Sequence, residues 1–460
     1  MAEAATLSFG SMQPPAGMDL AAAGDFLARH GVRYILAQFV DLHGGLKSKS
    51  VPVARLGALL EEGAGFAGAA VAGFGMTPQD QEYMMLADLR TLALLPWAPG
   101  YARIMGTGMV SGKPHAPDPR NILQAQAARL AERGWIFNTG LEPEFLLLRQ
   151  APDGSLTPFD ATDTLPKPAY DYRGLLRSQA FLEALSGSLQ AVGLQVYQID
   201  HEDANGQYEI NFDYADVLTS CDNMMLFKMA ASEIAQNLGA VCSFIPKLAA
   251  GSTGNGMHAH CSIADQSGNN LFHDPADPSG MGLSQLAYHF IGGILAHAKG
   301  LTALLAPSVN SYKRLVLGTP DAPSWAPVYI AYGDNNRSAM VRIPYGRVEI
   351  RIGDGAMNPY LGTAAIIAAG LDGIERALAP GPAHDINLYD LSPAAIRDLG
   401  IETLPANLDK ALDALAADPL FAAALGEGVI KSFIEIKRQE WNDYHRSVSA
   451  WEVKRYLTSL

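Results

Sequence analysis

Two glutamates one residue apart, Glu142 and Glu144 in LEPEF, lie inside the apolar run WIFNTGLEPEFLLL, whose pattern predicts a strand. Side chains alternate across a strand, so both carboxylates share one face while Leu141, Pro143 and Phe145 take the other. The same alternation places Gln207, Glu209 and Asn211 together in GQYEINF, and His258, His260 and Ser262 together in GMHAHCS. In GRVEIRI it groups Arg347, Glu349 and Arg351, and Glu202 stands just before GQYEINF in QIDHEDANGQ. Taken singly, each charged face reads as solvent-exposed. The Glu142–Glu144 pair resists that reading, because like charges on one face repel and Pro143 removes an N–H from the ladder. A positive charge is expected between them. Carboxylates with an imidazole suit a hard divalent ion, Mg²⁺ or Mn²⁺. Lys313, Arg314, Arg337, Arg342, Arg347 and Arg351 crowd one segment, and arginines fork onto carboxylates and phosphates. Divalent ions beside arginine clamps point to phosphoryl transfer.

The nucleotide site is not a P-loop, since no GxxxxGK[ST] string occurs. A GxGxxG string at Gly63, Gly65 and Gly68 follows LGALLEE, which reads as helix rather than strand, so we expect a flexible glycine-rich turn there.

These strands must be held by a chain of 460 residues, 48% hydrophobic, which is long enough for more than one unit. Its formal charge of −14 disfavours nucleic acid and anionic membrane as partners. The 3 cysteines, Cys221, Cys242 and Cys261, fit neither a zinc ribbon nor a disulfide framework, which suggests a reducing cytoplasm. The N-terminus lacks a basic start followed by an apolar run, and no apolar stretch is long enough for a bilayer span. Residues 1–17 read as a flexible tail, 18–112 as a small α+β unit, and 113–460 as the catalytic unit. The linker SGKPHAPDP separates the two units. A helix follows it, with Asp118 as cap, Pro119 in the first turn and Gly134 at its end. From Asn407 onward the pattern is amphipathic helix, and the fold class is α+β.

Glu142-Pro143-Glu144, HEDANGQYE, TGNGMHAH, NSYKRLV, NNRSAMVRIP and EIRIGDGAMNPYL follow one another in the order seen in glutamine synthetases, and VDLHG and DPRNIL match too. From about Val32 to Tyr389 the chain resembles that superfamily. The resemblance implies a β-grasp-like N-terminal domain and a catalytic domain with a curved antiparallel sheet, assembled as a homo-oligomer, a dodecamer of two hexameric rings. It implies glutamate, ATP and an amine as substrates, with two to three Mg²⁺ or Mn²⁺ ions per active site. Glu144, Glu202 and Glu209 match the ligands of one metal, and Glu142, His258 and Glu349 those of the second. Arg337 and Arg342 match phosphate-binding arginines, and His260, Ser262 and Arg347 are counted with the ATP site. Arg314 and Arg351 match residues holding glutamate, with Gly254 and Thr253 beside them. Asp41 matches the aspartate that a neighbouring subunit presents to the amine.

Some positions depart from the family pattern. Thr253-Gly254-Asn255-Gly256 replaces Asn-Gly-Ser-Gly, and Ala67-Gly68-Ala69-Ala70 replaces Asp-Gly-Ser-Ser. Trp325, in SWAP, stands where the family loop carries a glutamate, and Asp321 offers a substitute carboxylate nearby. This is similar to the type III-like subgroup that includes γ-glutamylmethylamide synthetases. The expected reaction is therefore ligation of glutamate's γ-carboxyl to methylamine or a short alkylamine, through a γ-glutamyl phosphate. Ordinary glutamine synthesis from ammonium is the alternative, and a catalytically silent assembly a more distant one. NLYDL resembles an adenylylation site of some bacterial members, but we read Tyr389 as a surface-loop tyrosine.

Overall fold

The computed structural model describes residues 12–319 and 324–459. Asp321 and residues 1–11 of the expected tail lie outside the described residues.

The N-terminal unit is a seven-stranded sheet of β1 (Tyr34–Val40), β2 (Leu46–Pro52), β3 (Ala64–Phe66), β4 (Tyr83–Ala87), β5 (Ala93–Leu94), β6 (Tyr101–Val110) and β7 (Lys113–Pro114). The order is β2-β1-β6-β4-β3, with β1 and β6 parallel. The helix Leu20–Arg29, capped by the Asp19 side chain, buries Ala23, Phe26 and Leu27 in this unit's core. The expected glycine-rich turn is corrected here. Gly65 lies in β3, and Gly68 opens a short 3₁₀ turn where an added Cβ would run into the Met76 sulfur. Close packing, not flexibility, is what glycine provides there. The sheet also runs past residue 112, since Lys113 pairs with Val110 in β7. The described part of the expected tail is tied down as well, with Met12 N donating to Ala191 O at 2.8 Å.

The second sheet has ten strands: β8 (Trp135–Gln150), β9 (Leu156–Pro158), β10 (Val196–His201), β11 (Gln207–Phe212), β12 (Ala215–Asp216), β13 (Val241–Ser243), β14 (Met257–Asp265), β16 (Tyr332–Asp334), β17 (Val341–Ile343) and β18 (Val348–Ile350). Its main path is β10-β11-β8-β14-β18-β17-β16. The short β15 (Tyr329–Ile330) pairs instead with β19 (Glu402–Thr403). The sheet is antiparallel along its main path except at its edge, where β16 and β17 run parallel. One face of β8, β11 and β14, carrying Leu141, Phe145, Tyr208, Ile210, Ala259 and Ile263, is buried in the main core. Helices Val217–Asn237 and Pro359–Glu375 share that core. Burial of this face fixes the register, because a slip of one residue would turn every carboxylate inward.

Asp118 caps the helix Pro119–Ala131 as its sequence predicts, and Gly134 has a φ of +73°. The two units are joined by a buried polar network. Arg120 forks onto Asp222 at 2.8 and 3.1 Å, reaches Asp88 at 3.0 Å, and Tyr360 donates to Asp222 at 2.6 Å.

Candidate active site

Ladder pairing converts six separate strands into one polar surface. Glu144 pairs directly with Glu209 across β8 and β11, and Asp200 of β10 pairs with Glu209 on its other side. On the opposite edge of β8, Glu142 pairs with His258 of β14. His260 pairs with Glu349 of β18, and Glu349 with Arg342 of β17. Alternation points all of these side chains away from the apolar core.

Glu144, Glu202 and Glu209 make the acidic half. Burial first, then Glu142 and its acidic neighbours, holds the Glu209 carboxyl well above the ordinary range. Burial, then Glu144 and Asp200, pushes Glu202 up to about 8. These are carboxylates lacking a counter-charge. Glu144 is fixed in place by Gln207 Nε2 at 3.0 Å and Gly256 N at 2.9 Å.

The other half is better compensated. Burial would raise Glu142, but the two imidazoles beside it, His258 and His260, outweigh burial and hold the carboxyl well below its usual range. His260 Nε2 lies 2.6 Å from Glu142, while Arg347 Nε donates to His260 Nδ1 at 3.0 Å. Burial likewise works against Glu349, yet Arg351, then His258 and His260, bring it down to about 2. Arg351 Nη1 donates to Glu349 at 2.6 Å and Arg342 Nη1 at 2.8 Å. His258 Nδ1 is buried without a hydrogen-bond partner, 3.6 Å from Glu349 and 3.8 Å from Glu142.

This donor set fits divalent cations. Among the described residues no three His, Cys, Asp or Glu side chains form a closed cage around one point. The chemistry decides instead: a buried unpartnered imidazole nitrogen and crowded carboxylates are both satisfied by a cation. Two ligands of an ion at about 2.1 Å stand roughly 3–4 Å apart, the spacing His258 Nδ1 keeps to Glu142 and Glu349.

Beside Glu142, His260, Ser262, Arg347, Tyr197 and Tyr345 line a cavity of about 420 Å³. Arg337 is exposed at the rim of another, about 400 Å³, shared with Trp325 and Tyr389. A larger cavity of about 880 Å³ lies by the N-terminal segment and includes none of the expected site residues. Arg314 is buried, its guanidinium donating to the Ile352 and Arg351 carbonyls at 2.9 and 3.1 Å. Lys313 is corrected out of the basic set, since its ammonium meets Tyr444 OH at 2.6 Å on the helix Glu427–Arg446. Asp41 makes its side-chain contacts within its own loop and the strand that follows it. It is buried against Lys47 at 2.9 Å and accepts from His43 N and Gly45 N at 3.0 and 2.8 Å. Trp325 is 50% exposed, its indole N–H donating to Asp203 at 3.0 Å. Tyr389 is partly buried, and its hydroxyl donates to the carbonyls of Ala326 at 3.1 Å and Arg337 at 3.4 Å, so it ties loops together.

Sequence reasoning passed over Gln207 as an anchor, though it shares the Glu209 face. Its amide reaches Glu144, Gly254 O and Asn255 Oδ1 at 3.0–3.1 Å. Gly256 was missed too. An added Cβ there would lie 2.7 Å from His258 Nε2, 2.9 Å from Arg314 Nη2 and 3.0 Å from Glu144 Oε1. Thr253 sits just outside, its hydroxyl donating to Asp203 O at 3.3 Å.

A family model described as the glutamine synthetase catalytic domain matches residues 116–456. The chain is 53% identical over 437 residues to the glutamate–methylamine ligase of Methyloversatilis universalis, covering 95% of this chain and 98% of that one. It is 38% identical to a glutamine synthetase of Rhizobium meliloti, covering 93% and 97%. A solved structure described as a GmaS/ADP complex superposes with a TM-score of 0.88 at 40% identity, covering 94% of this chain and 99% of that one.

Proposed function

The chain belongs to the glutamine synthetase family, and on that premise we propose that it is an ATP-dependent ligase joining the γ-carboxyl of glutamate to a small primary amine. Methylamine or a short alkylamine is the substrate we assign. The observation carrying this is a contrast in identity: 53% to a glutamate–methylamine ligase against 38% to a glutamine synthetase, each over more than nine-tenths of the chain.

Members of this family use ATP and a divalent metal; we assign Mg²⁺ or Mn²⁺, two to three per site, to Glu144, Glu202 and Glu209 and to Glu142, His258 and Glu349. Bound there, the ions would neutralise phosphoryl charge. Arg337 and Arg342 would take phosphate oxygens, and His260, Ser262 and Arg347 would border the nucleotide. Arg314, Arg351, Gly254 and Thr253 would orient glutamate, so that its γ-carboxylate meets the terminal phosphoryl group in line. Transfer of that phosphoryl group to the carboxylate would release ADP, and attack of an uncharged amine on the acyl phosphate would then displace inorganic phosphate.

The amine arrives as a cation and must lose a proton. Asp41 is our acceptor, supplied by a neighbouring copy, because within one chain it is engaged with Lys47 and its own loop. On this reading the working enzyme is a ring assembly, for which a dodecamer is the form proposed. None of its described helices is long and apolar enough to cross a membrane. A cytoplasmic location is part of the proposal.

The test is phosphate release dependent on ATP and glutamate, measured across ammonium, methylamine and ethylamine at fixed pH. We expect kcat/KM for methylamine or ethylamine to exceed that for ammonium roughly tenfold to a hundredfold. Equal or better efficiency with ammonium would leave glutamine synthesis as the reading.

A further inference from the structure

We infer that Asp203 is a positioning residue for amine selectivity, acting by clasping the indole of Trp325. This rests on the alkylamine reading above. An aromatic ring can serve as a wall for a methyl group only if its orientation is fixed. Trp325 is half exposed on a loop, so packing alone does not fix it. Hydrogen bonds do so at both ends of the residue. Its Nε1–H donates to Asp203 Oδ2 at 3.0 Å, and its carbonyl accepts from Arg351 Nη2 at 3.2 Å.

Asp203 is itself rigidly mounted. Thr253 Oγ1 donates to its carbonyl at 3.3 Å, and the next residue, Ala204, donates its N–H to Gln207 Oε1 at 3.0 Å. Gln207 in turn holds Glu144 at 3.0 Å. The indole edge is thus referenced to the carboxylate cluster through Asp203 and Gln207, and its backbone through Arg351 to Glu349 at 2.6 Å. An N–H···carboxylate bond is the stronger, charge-assisted kind, suited to hold a half-exposed ring. The wall is therefore set by a pair of residues, of which only Trp325 stands in the family's loop.

A double-mutant cycle tests this. Asp203→Ala and Trp325→Phe, which keeps a ring but removes the N–H donor, should each raise the methylamine KM about three- to tenfold. For Asp203→Ala the kcat at saturating amine and the KM values for glutamate and ATP should stay within about twofold, and circular dichroism of every variant should match wild type, which shows that they fold. The double variant should be no worse than either single one. Asp203→Asn keeps an oxygen acceptor for the indole and should restore most of the loss. Additive effects in the double variant, or an Asp203→Asn as damaged as Asp203→Ala, would overturn the inference. A wild-type preference for ammonium would sink the substrate reading alone, while the cycle on methylamine KM would still decide whether the clasp exists.

Discussion

Glu144 and Glu209 stand directly opposite each other in the β8–β11 pairing, two carboxylates facing across one strand pair. Like charges so placed destabilise a sheet, and both side chains are largely buried. The folded protein therefore carries a local penalty that a bound cation would relieve.

The first prediction follows from that pair. Glu209→Gln keeps the oxygen that accepts from Asn211 Nδ2 at 2.7 Å but removes the charge. Because the Glu209 carboxyl is held above its ordinary range, its penalty is absent below the usual carboxylate pKa and grows as pH rises above it. At neutral pH and without divalent ions the variant should be more stable than wild type by on the order of 1 kcal/mol. Mg²⁺ should stabilise wild type more than the variant, and ligase activity should be lost. Thermal unfolding with and without Mg²⁺ reads this, and a variant less stable than wild type in the metal-free buffer would refute it.

Glu349 accepts from both Arg342 and Arg351 and stands near the unpartnered nitrogen of His258. Glu349→Ala should reduce turnover at least about a hundredfold, since phosphoryl charge would go uncompensated. Phosphate release near the wild-type rate would remove Glu349 from the site.

Trp325→Glu should narrow the gap between methylamine and ammonium. A carboxylate suits the extra N–H of ammonium, whereas a methyl loses its apolar wall, worth about 0.8 kcal/mol. An unchanged ratio of the two kcat/KM values would take selectivity away from this position.

If Asp41 serves a neighbouring copy, Asp41→Ala and Arg351→Ala chains should each be inactive alone. Co-assembled, they should regain part of the activity at hybrid interfaces. A fully active monomer in light scattering under assay conditions would contradict this arrangement.

His297 bridges two helices, its nitrogens 2.7 Å from Asp418 and 2.9 Å from Asp372. Burial lowers its pKa, but the two aspartates outweigh burial and the net shift is upward from 6.5. A raised pKa stabilises the fold fully below the unfolded value, and that stability is lost as pH rises through the folded one. Denaturant unfolding should show wild type losing on the order of 1 kcal/mol above about pH 6.5 relative to His297→Gln. Parallel pH profiles for the two proteins would show that the bridge carries no charge.

The alternation of side chains along single strands was legible in the sequence, because it depends only on local backbone geometry. That is why residue order alone groups Glu142 with Glu144, and His258 with His260. The helix start at Asp118 was readable for the same reason, since a cap acts within its first turn. What faces what was not readable. The opposition of Glu144 to Glu209 and of Glu142 to His258 depends on register between distant segments, which burial of the opposite face decides. Lys313 illustrates the limit, being grouped with the arginines by proximity in sequence and then turned toward Tyr444 by the short helix that carries it. Gly256 showed no sign of being hemmed in by His258, Arg314 and Glu144 until three elements met around it. The Asp203–Trp325 bond joins residues 122 positions apart, and a contact of that span exists only once the chain has closed on itself.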